Sequence, residues 1–127
     1  MKEIQKAVIR KGSMFLILLR SPKAEFFPED WDFPGGKLEP NEDPFAGIER
    51  EILEETGLKV KALGVVGVYE LVLKGISHRF SVYSTKLTSK EQVQLSHEHL
   101  DFKWATKDEL LKLKVEPYMR KYFSEHP

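Results

Sequence analysis

One stretch constrains this chain more than any other: a short helix with a marked beginning and a marked end. Asp43 offers a side-chain oxygen as N-cap and Pro44 suits the first helical position. Gly57 stands where helices commonly stop on a left-handed residue. At about 100° per residue, Phe45, Ile48, Ile52 and Leu53 are expected to share an apolar stripe, with Thr56 between them. Glu51, Glu54 and Glu55 are expected to fall together on another face, with the small Gly47 among them. The segment therefore reads as a helix with a core side and an acid side.

The acid side requires a reason. Glu51/Glu54 and Glu51/Glu55 are like-charge pairs at i,i+3 and i,i+4, each costing roughly 0.2–0.5 kcal/mol. Arg50 reaches Glu54 at i+4, but one arginine does not neutralise three glutamates. Hard oxygen ligands short of cations suit Mg²⁺ or Mn²⁺, which share their coordination with water and substrate phosphates. A solvated acidic face would show the same three residues in a chain that is 31% charged. Spacing separates the two readings. Gly36 is followed by five residues, Glu42, seven residues, and then Arg50-Glu51-Ile52-x-Glu54-Glu55-x-Gly57-Leu58. This resembles the signature box of the Nudix hydrolases, with all nine defined positions of residues 36–58 matched. From average residue usage a chance match is on the order of one in 10⁹ per register.

The remainder of the chain is read on its own terms. Its length suits one domain, residues 1–127, with a sizeable core. Twenty basic and twenty acidic side chains cancel, so no global charge steers it to nucleic acid or a membrane surface. Cysteine is absent, which excludes disulfides and thiolate metal sites and is compatible with a reducing compartment. No apolar run approaches the roughly 20 residues of a membrane span. Met1-Lys2-Glu3 opens directly into a strand-like segment, so no signal peptide is expected and a cytoplasmic location is.

In chain order, residues 6–10 and 14–20 read as strands joined at Lys11-Gly12-Ser13, the second apolar enough to be buried on both faces. Residues 21–30 form a loop. Residues 63–73 and 76–87 read as a hairpin about Lys74-Gly75, with Ile76, His78, Phe80 and Val82 alternating with polar neighbours. Residues 88–95 are loop-like and 101–105 strand-like. Thr106 and Glu109 predict a capping box opening a helix to about Leu113, and Pro117 starts a last helical segment. This order gives a mixed α/β domain with antiparallel hairpins. The resemblance implies more: an α/β/α sandwich with a mixed, curved central sheet and a catalytic loop-helix-loop.

It also implies a site. Glu51, Glu54, Glu55 and Glu98 would bind one to three Mg²⁺ ions, with Mn²⁺ as substitute, and the Pro34-Gly35-Gly36 approach would add the carbonyl of Gly35. Glu98 lies a few residues before Trp104, where relatives often place a loop glutamate. His97 and His99 suggest a His-x-His pair, but nothing else completes a zinc set. Either Glu51 or Glu98 takes a proton from the attacking water. Arg50 orients Glu51 or Glu54, and Glu42 holds the loop or pairs with Arg50, a structural part it shares with Gly57. Arg20, Phe33, Gly36 and Lys37 are the expected substrate contacts; Phe27, Trp31, His78 and Arg79 are weaker ones. The box implies a nucleoside diphosphate linked to another group as substrate. Small size and the Phe33-Pro34-Gly35-Gly36-Lys37 sequence are most similar to MutT-type nucleoside triphosphate pyrophosphohydrolases. Nucleotide sugars, ADP-ribose and dinucleoside polyphosphates remain alternatives, as does a silent nucleotide sensor. An isomerase on the same fold would call for a cysteine, which is absent. A monomer or homodimer acting on a small nucleotide is expected, with no nucleic-acid or membrane partner.

Overall fold

Alternating and fully apolar strand segments assemble two four-stranded sheets in the computed structural model, which describes residues 1–90 and 92–127. The first sheet is mixed. β1 (Lys2–Val8) runs parallel to β7 (Ile76–Leu87) and antiparallel to the short β5 (Gly35–Lys37). β6 (Val60–Leu73) completes it as the antiparallel partner of β7, through the hairpin at Lys74-Gly75. Two register shifts in β6, between Ala62 and Gly64 and between Val65 and Gly67, bend this sheet. The second sheet is antiparallel. β3 (Met14–Arg20) pairs with β2 (Arg10–Lys11) and β4 (Trp31–Asp32) along one edge and with β8 (His99–Thr106) along the other.

β3 shows why the layers form. Leu16, Ile17 and Leu18 are all fully buried, as expected of a strand covered on both faces. Phe15 and Ile17 join Val8, Phe33, Phe80 and Val82 in a core closed by Tyr118, Met119, Tyr122 and Phe123 of α3 (Pro117–Glu125). Leu16 and Leu18 point the other way, to Ala7, Ile9, Leu58 and to Ile48 and Ile52 of α1 (Pro44–Thr56). Helices thus cover both sides of the strand layer. Each fully buried aliphatic side chain contributes about 1.5–3 kcal/mol to that arrangement. Gln5, also buried, fastens α1 to β1 by donating to the carbonyl of Pro44 at 2.7 Å.

The helix ends match expectation. Asp43 accepts from the Ala46 N–H, and Gly57 closes α1 at φ 72° with its N–H on the carbonyl of Leu53. The faces do not match. Phe45 and Leu53 are exposed, and the buried face is Gly47, Ile48, Ile52, Glu55 and Thr56. Glu55 lies seven residues, close to two turns, beyond Ile48 and so points the same way. The core side and the acid side overlap. Gly47 permits this orientation, since a Cβ there would stand 2.9 Å from Glu42 Oε1 and 3.0 Å from Gln5 Oε1.

Other boundaries move modestly. β1 begins at Lys2 and ends at Val8, where residues 6–10 were expected, and β8 spans His99–Thr106. The capping box at Thr106 and Glu109 is present, but α2 (Lys107–Leu110) is a single turn that passes into turns before Leu113. β4 and β5 were not anticipated; they are short pairings that straddle Phe33-Pro34. Of the segment 88–95, read as a loop, Glu91 lies outside the described residues.

Candidate active site

The glycines before α1 bring the site together. Gly35 pairs with Lys6 across β1 and β5, and a Cβ on it would lie 1.9 Å from the carbonyl oxygen of Gln5. A Cβ on Gly36 would lie 2.3 Å from Glu51 Oε2. The first glycine lets two backbones meet, and the second leaves room for a carboxylate. With β5 pressed on β1, the Gly35 N–H donates to Glu55 Oε1 at 2.7 Å.

The three box glutamates meet three environments. Glu55 is buried, and burial pushes its carboxyl up to about 8 against the pull of the Lys6 ammonium and the Gly35 N–H. Glu51 is also pushed up, first by burial, with Arg50 opposing. Glu54 is exposed. Arg50 organises the last two and the loop before the helix. Its Nε and Nη2 donate to both carboxylate oxygens of Glu42 at 2.7 and 3.0 Å, Nη2 also to Glu51 at 3.1 Å, and Nη1 to Glu54 at 3.1 Å. The Glu42 hydrogen bond is the main reason the guanidinium is held above its ordinary value, and Arg50 in turn holds Glu42 down. Glu42 also accepts from the Glu39 N–H at 3.1 Å, which ties the loop to the helix. Both expectations for Arg50 and Glu42 therefore appear as contacts.

A cavity of about 1030 Å³ opens over these residues. Its lining includes Glu51, Glu54, Glu55 and Glu98 together with the cations of Lys2, Lys6, Arg20, Lys23 and Lys37. Gly35, Gly36 and Arg50 also line it, so most of the expected site residues converge. The loop bearing Glu98 is sewn to the end of α1. The Gln94 N–H donates to the carbonyl of Thr56 at 2.8 Å and the Ser96 N–H to that of Glu55 at 3.1 Å. Glu98 itself is exposed and lines the cavity. His97 and His99 line the cavity, with His99 Nδ1 4.0 Å from Glu55 Oε2 and the ring held below its ordinary value chiefly by burial.

Phe33 is a correction. It is buried in the core among Tyr118, Tyr122 and Phe123 and does not line the cavity. The strand-like alternation around β4 turns Phe33 inward, away from substrate. Phe27 and Trp31 do not line the cavity either, and Arg79 pairs with Glu3 and Glu70 elsewhere.

Lys6 and Arg20 of the cavity lining also belong to a buried ionic cluster that sequence reasoning missed. Asp32, fully buried, accepts from Lys6 Nζ at 2.6 Å, from Arg20 Nη1 at 3.3 Å and from the Tyr118 hydroxyl. Glu116 approaches Arg20 Nη1 at 3.9 Å. Burial works against the Asp32 charge, but Lys6 and its other partners outweigh it and hold the carboxyl down to about 2. Burial, reinforced by the nearby Asp32 carboxylate, pushes Glu116 well up. Only spatial pairing reveals the cluster, because its members lie on β1, β3, β4 and α3. The single signal in the sequence was charge in otherwise apolar strands.

The comparisons bear directly on this geometry. The NUDIX domain family matches residues 6–126. The chain belongs to the Nudix family. A MutT-like protein of Streptomyces ambofaciens is 32% identical over 87% of this chain and 67% of its own length. A Caenorhabditis elegans bis(5′-nucleosyl)-tetraphosphatase (asymmetrical) is 30% identical over 80% of this chain and 75% of its own. The crystal structure of a MutT protein from Methanosarcina mazei Go1 superposes with a TM-score of 0.88 at 28% identity, over 98% of this chain and 91% of that one. The mixed α/β architecture is thus that of Nudix proteins, and the chain is a Nudix hydrolase, a pyrophosphohydrolase. Nudix hydrolases generally use divalent metal ions and act on small molecules such as nucleotides. No described helix is long and apolar enough to cross a membrane.

Among the described residues, no three Asp, Glu, His or Cys side chains stand close enough to hold a metal ion. Arg50 engages Glu51 and Glu54, while Glu55 is turned to the Gly35 N–H. The donor chemistry nevertheless fits a hard divalent ion: every candidate side chain is a carboxylate. Glu55 supplies the structural test, because a buried carboxyl raised to about 8 has less neighbouring positive charge than its ionised form requires.

Proposed function

We propose that this Nudix hydrolase cleaves a nucleoside triphosphate to the monophosphate and pyrophosphate, with Mg²⁺ bound by Glu51, Glu54, Glu55, Glu98 and the Gly35 carbonyl. Mn²⁺ substitutes. The observation that carries this reading is one cavity with two chemistries, lined both by the box carboxylates with Glu98 and by Lys2, Arg20, Lys23 and Lys37, which can meet a phosphate chain. When bound, the divalent ion supplies charge neutralisation and a more acidic water.

The residues divide the remaining work. Lys37 and Arg20 bind phosphate, and Gly36 lets the chain pass close to the backbone. Arg50 keeps Glu51 and Glu54 oriented through the bonds described above, and Glu42 fixes Arg50. Glu98 is the general base: its carboxylate has no hydrogen-bonding partner among the described residues, whereas Glu51 is held by Arg50. Glu98 takes one proton from water as the new P–O bond forms at phosphorus, and the bridging P–O bond breaks to release pyrophosphate. The test is product detection across a nucleotide panel with Mg²⁺, Mn²⁺ and EDTA, alongside Glu55→Gln. Turnover that requires the metal, yields pyrophosphate and disappears in the variant is expected. Nucleotide binding without turnover under every condition would replace this reading with that of a sensor.

A further inference from the structure

β8 leaves one edge of its backbone open. It is the outermost strand on its side of the second sheet, and β3 is its only strand partner among the described residues. Within β3, the N–H groups of Leu16 and Arg20 point away from β8, to the carbonyls of Ile9 and Asp30 at 2.9 and 3.0 Å. Leu16 therefore faces Trp104, and Leu18 faces Phe102, as non-hydrogen-bonded pairs of the antiparallel ladder. The backbone groups of Phe102 and Trp104 consequently turn outward. Two contacts agree with that direction: the Phe102 N–H donates to Asp101 Oδ1 at 2.8 Å, and the Thr106 N–H to Glu109 Oε1 at 2.9 Å.

The sequence along that edge is self-complementary. Antiparallel pairing with a second copy, about a twofold axis at Phe102, sets Leu100 opposite Trp104, Asp101 opposite Lys103 and Phe102 opposite itself. Asp101 and Lys103 are both exposed, and the axis makes their opposite charges meet twice. They fall in the non-hydrogen-bonded pairs, where facing Cβ atoms come closest. Leu100 and Phe102, exposed by 57% and 37%, share the other face of the strand and would be covered. A shift of two residues in either direction sets Asp101 on Asp101 or Lys103 on Lys103, so charge selects one register. The long open edge of the first sheet, on β6, is interrupted by two bulges, a common protection against such pairing. The pairing of β8 is regular from Asp101 to Thr106.

We infer that this protein forms a twofold homodimer in which β8 pairs antiparallel with β8 of a second copy, centred on Phe102. The interface is isologous, and the two antiparallel sheets become one sheet running through both molecules. Outward N–H and C=O groups of Phe102 and Trp104 supply its ladder, and the Asp101–Lys103 pairs supply its register. A strand pair of this length buries less than the roughly 1,200–2,000 Å² of a standard interface, so the association is weak and reversible. It does not depend on which substrate the cavity takes.

Sedimentation equilibrium of the full chain, from about 1 μM to about 1 mM, reads the mass, which should rise from 14.7 kDa toward twice that value. Amide hydrogen exchange at the two ends of this range should slow at Phe102 and Trp104, whose N–H groups face the open edge, and stay unchanged at Lys103, whose N–H faces β3. Asp101→Lys alone, or Lys103→Asp alone, sets like charges opposite at both symmetric positions and should weaken association about tenfold or more. The two substitutions together exchange the charges and should restore it. A mass of one chain throughout the range would overturn the inference. So would a dimer without added protection at Phe102 and Trp104, or single and double variants that associate alike. If the variants fail to fold, the wild-type mass and amide exchange decide the matter by themselves.

Discussion

Replacing Asp32 by Asn tests whether the buried ionic cluster is held by charge. Asp32 is the anion that Lys6, Arg20 and Tyr118 share, and Lys6 is almost fully buried beside it. Removing one partner of such a pair costs about 3–5 kcal/mol, because the other charge stays in a dry environment. Glu116 reduces that cost. Burial and the Asp32 carboxylate push its carboxyl well up, and loss of the Asp32 charge removes one of those causes while Lys6 and Arg20 still draw it down. Asp32→Asn alone should therefore lose about 3 kcal/mol, the lower end of the range. Glu116→Gln alone should cost under about 1 kcal/mol, as it replaces a carboxyl whose ionised form burial disfavours by an amide of similar shape. The double variant should lose more than the sum.

Urea unfolding at pH 7, followed by tryptophan fluorescence, measures all three. Acid provides the second axis. Asp32 titrates at about 2 in the fold against 3.8 ordinarily, so its contribution is complete above pH 3.8 and is lost as pH falls toward 2. That shift corresponds to about 2 kcal/mol, and Asp32→Asn should show a shallower loss of stability across this window. Glu116 has the opposite sign: its raised value favours the fold most below its ordinary 4.5 and less as pH rises through the folded value. A loss below about 1 kcal/mol for Asp32→Asn, with strictly additive variants and an unchanged acid slope, would refute charge as the organising force.

Four further outcomes follow from the site. Glu54→Gln and Glu55→Gln should each lower Mg²⁺-dependent kcat by about 100-fold or more with urea midpoints near wild type, read by product formation and unfolding side by side. Arg50→Lys loses the bidentate grip on Glu42, so kcat should fall about tenfold even though the charge is kept; an unchanged rate would remove Arg50 from its orienting role. Gly35→Ala and Gly36→Ala should part company. The first forces a Cβ into the Gln5 backbone and should unfold the protein or cost about 3 kcal/mol or more, whereas the second meets only the Glu51 carboxylate and should keep the fold while losing turnover. Glu98→Gln should lower kcat with KM nearly unchanged, read by steady-state kinetics on the substrate the panel identifies.

Local patterns carried much of the fold. The cap at Asp43, the left-handed stop at Gly57, the Lys74-Gly75 hairpin and the box at Thr106 are short-range hydrogen-bonding solutions, and each appears where its residues stand. The two-sided burial of β3 was legible from its unbroken apolar run. What the pattern could not provide was pairing at a distance. The parallel partnership of β1 with β7 joins residues about 76 positions apart, as Lys2 with His78, and nothing in either segment names the other. β4 and β5 exist only because β3 and β1 are there to pair with them.

The site divides along the same line. Arg50, Glu42 and the glutamates lie on one loop and helix, so spacing alone brought them together. Lys6, Arg20, Asp32 and Glu116 come from separate parts of the chain, and nothing in the spacing of any one of them names the others. Glu55 belongs to both groups. By spacing it is the third acid of a helix face; by the two-turn period it shares the direction of Ile48, and the fold buries it against the Gly35 N–H. A helix turned to keep all three acids in water would have exposed Ile48 as well. Burial of the aliphatic side chains thus sets the angle of α1, and that angle carries one carboxylate into the buried part of the cavity lining, near the Lys6 ammonium. The acids differ in environment because the hydrophobic face, rather than the acidic one, decides how the helix lies.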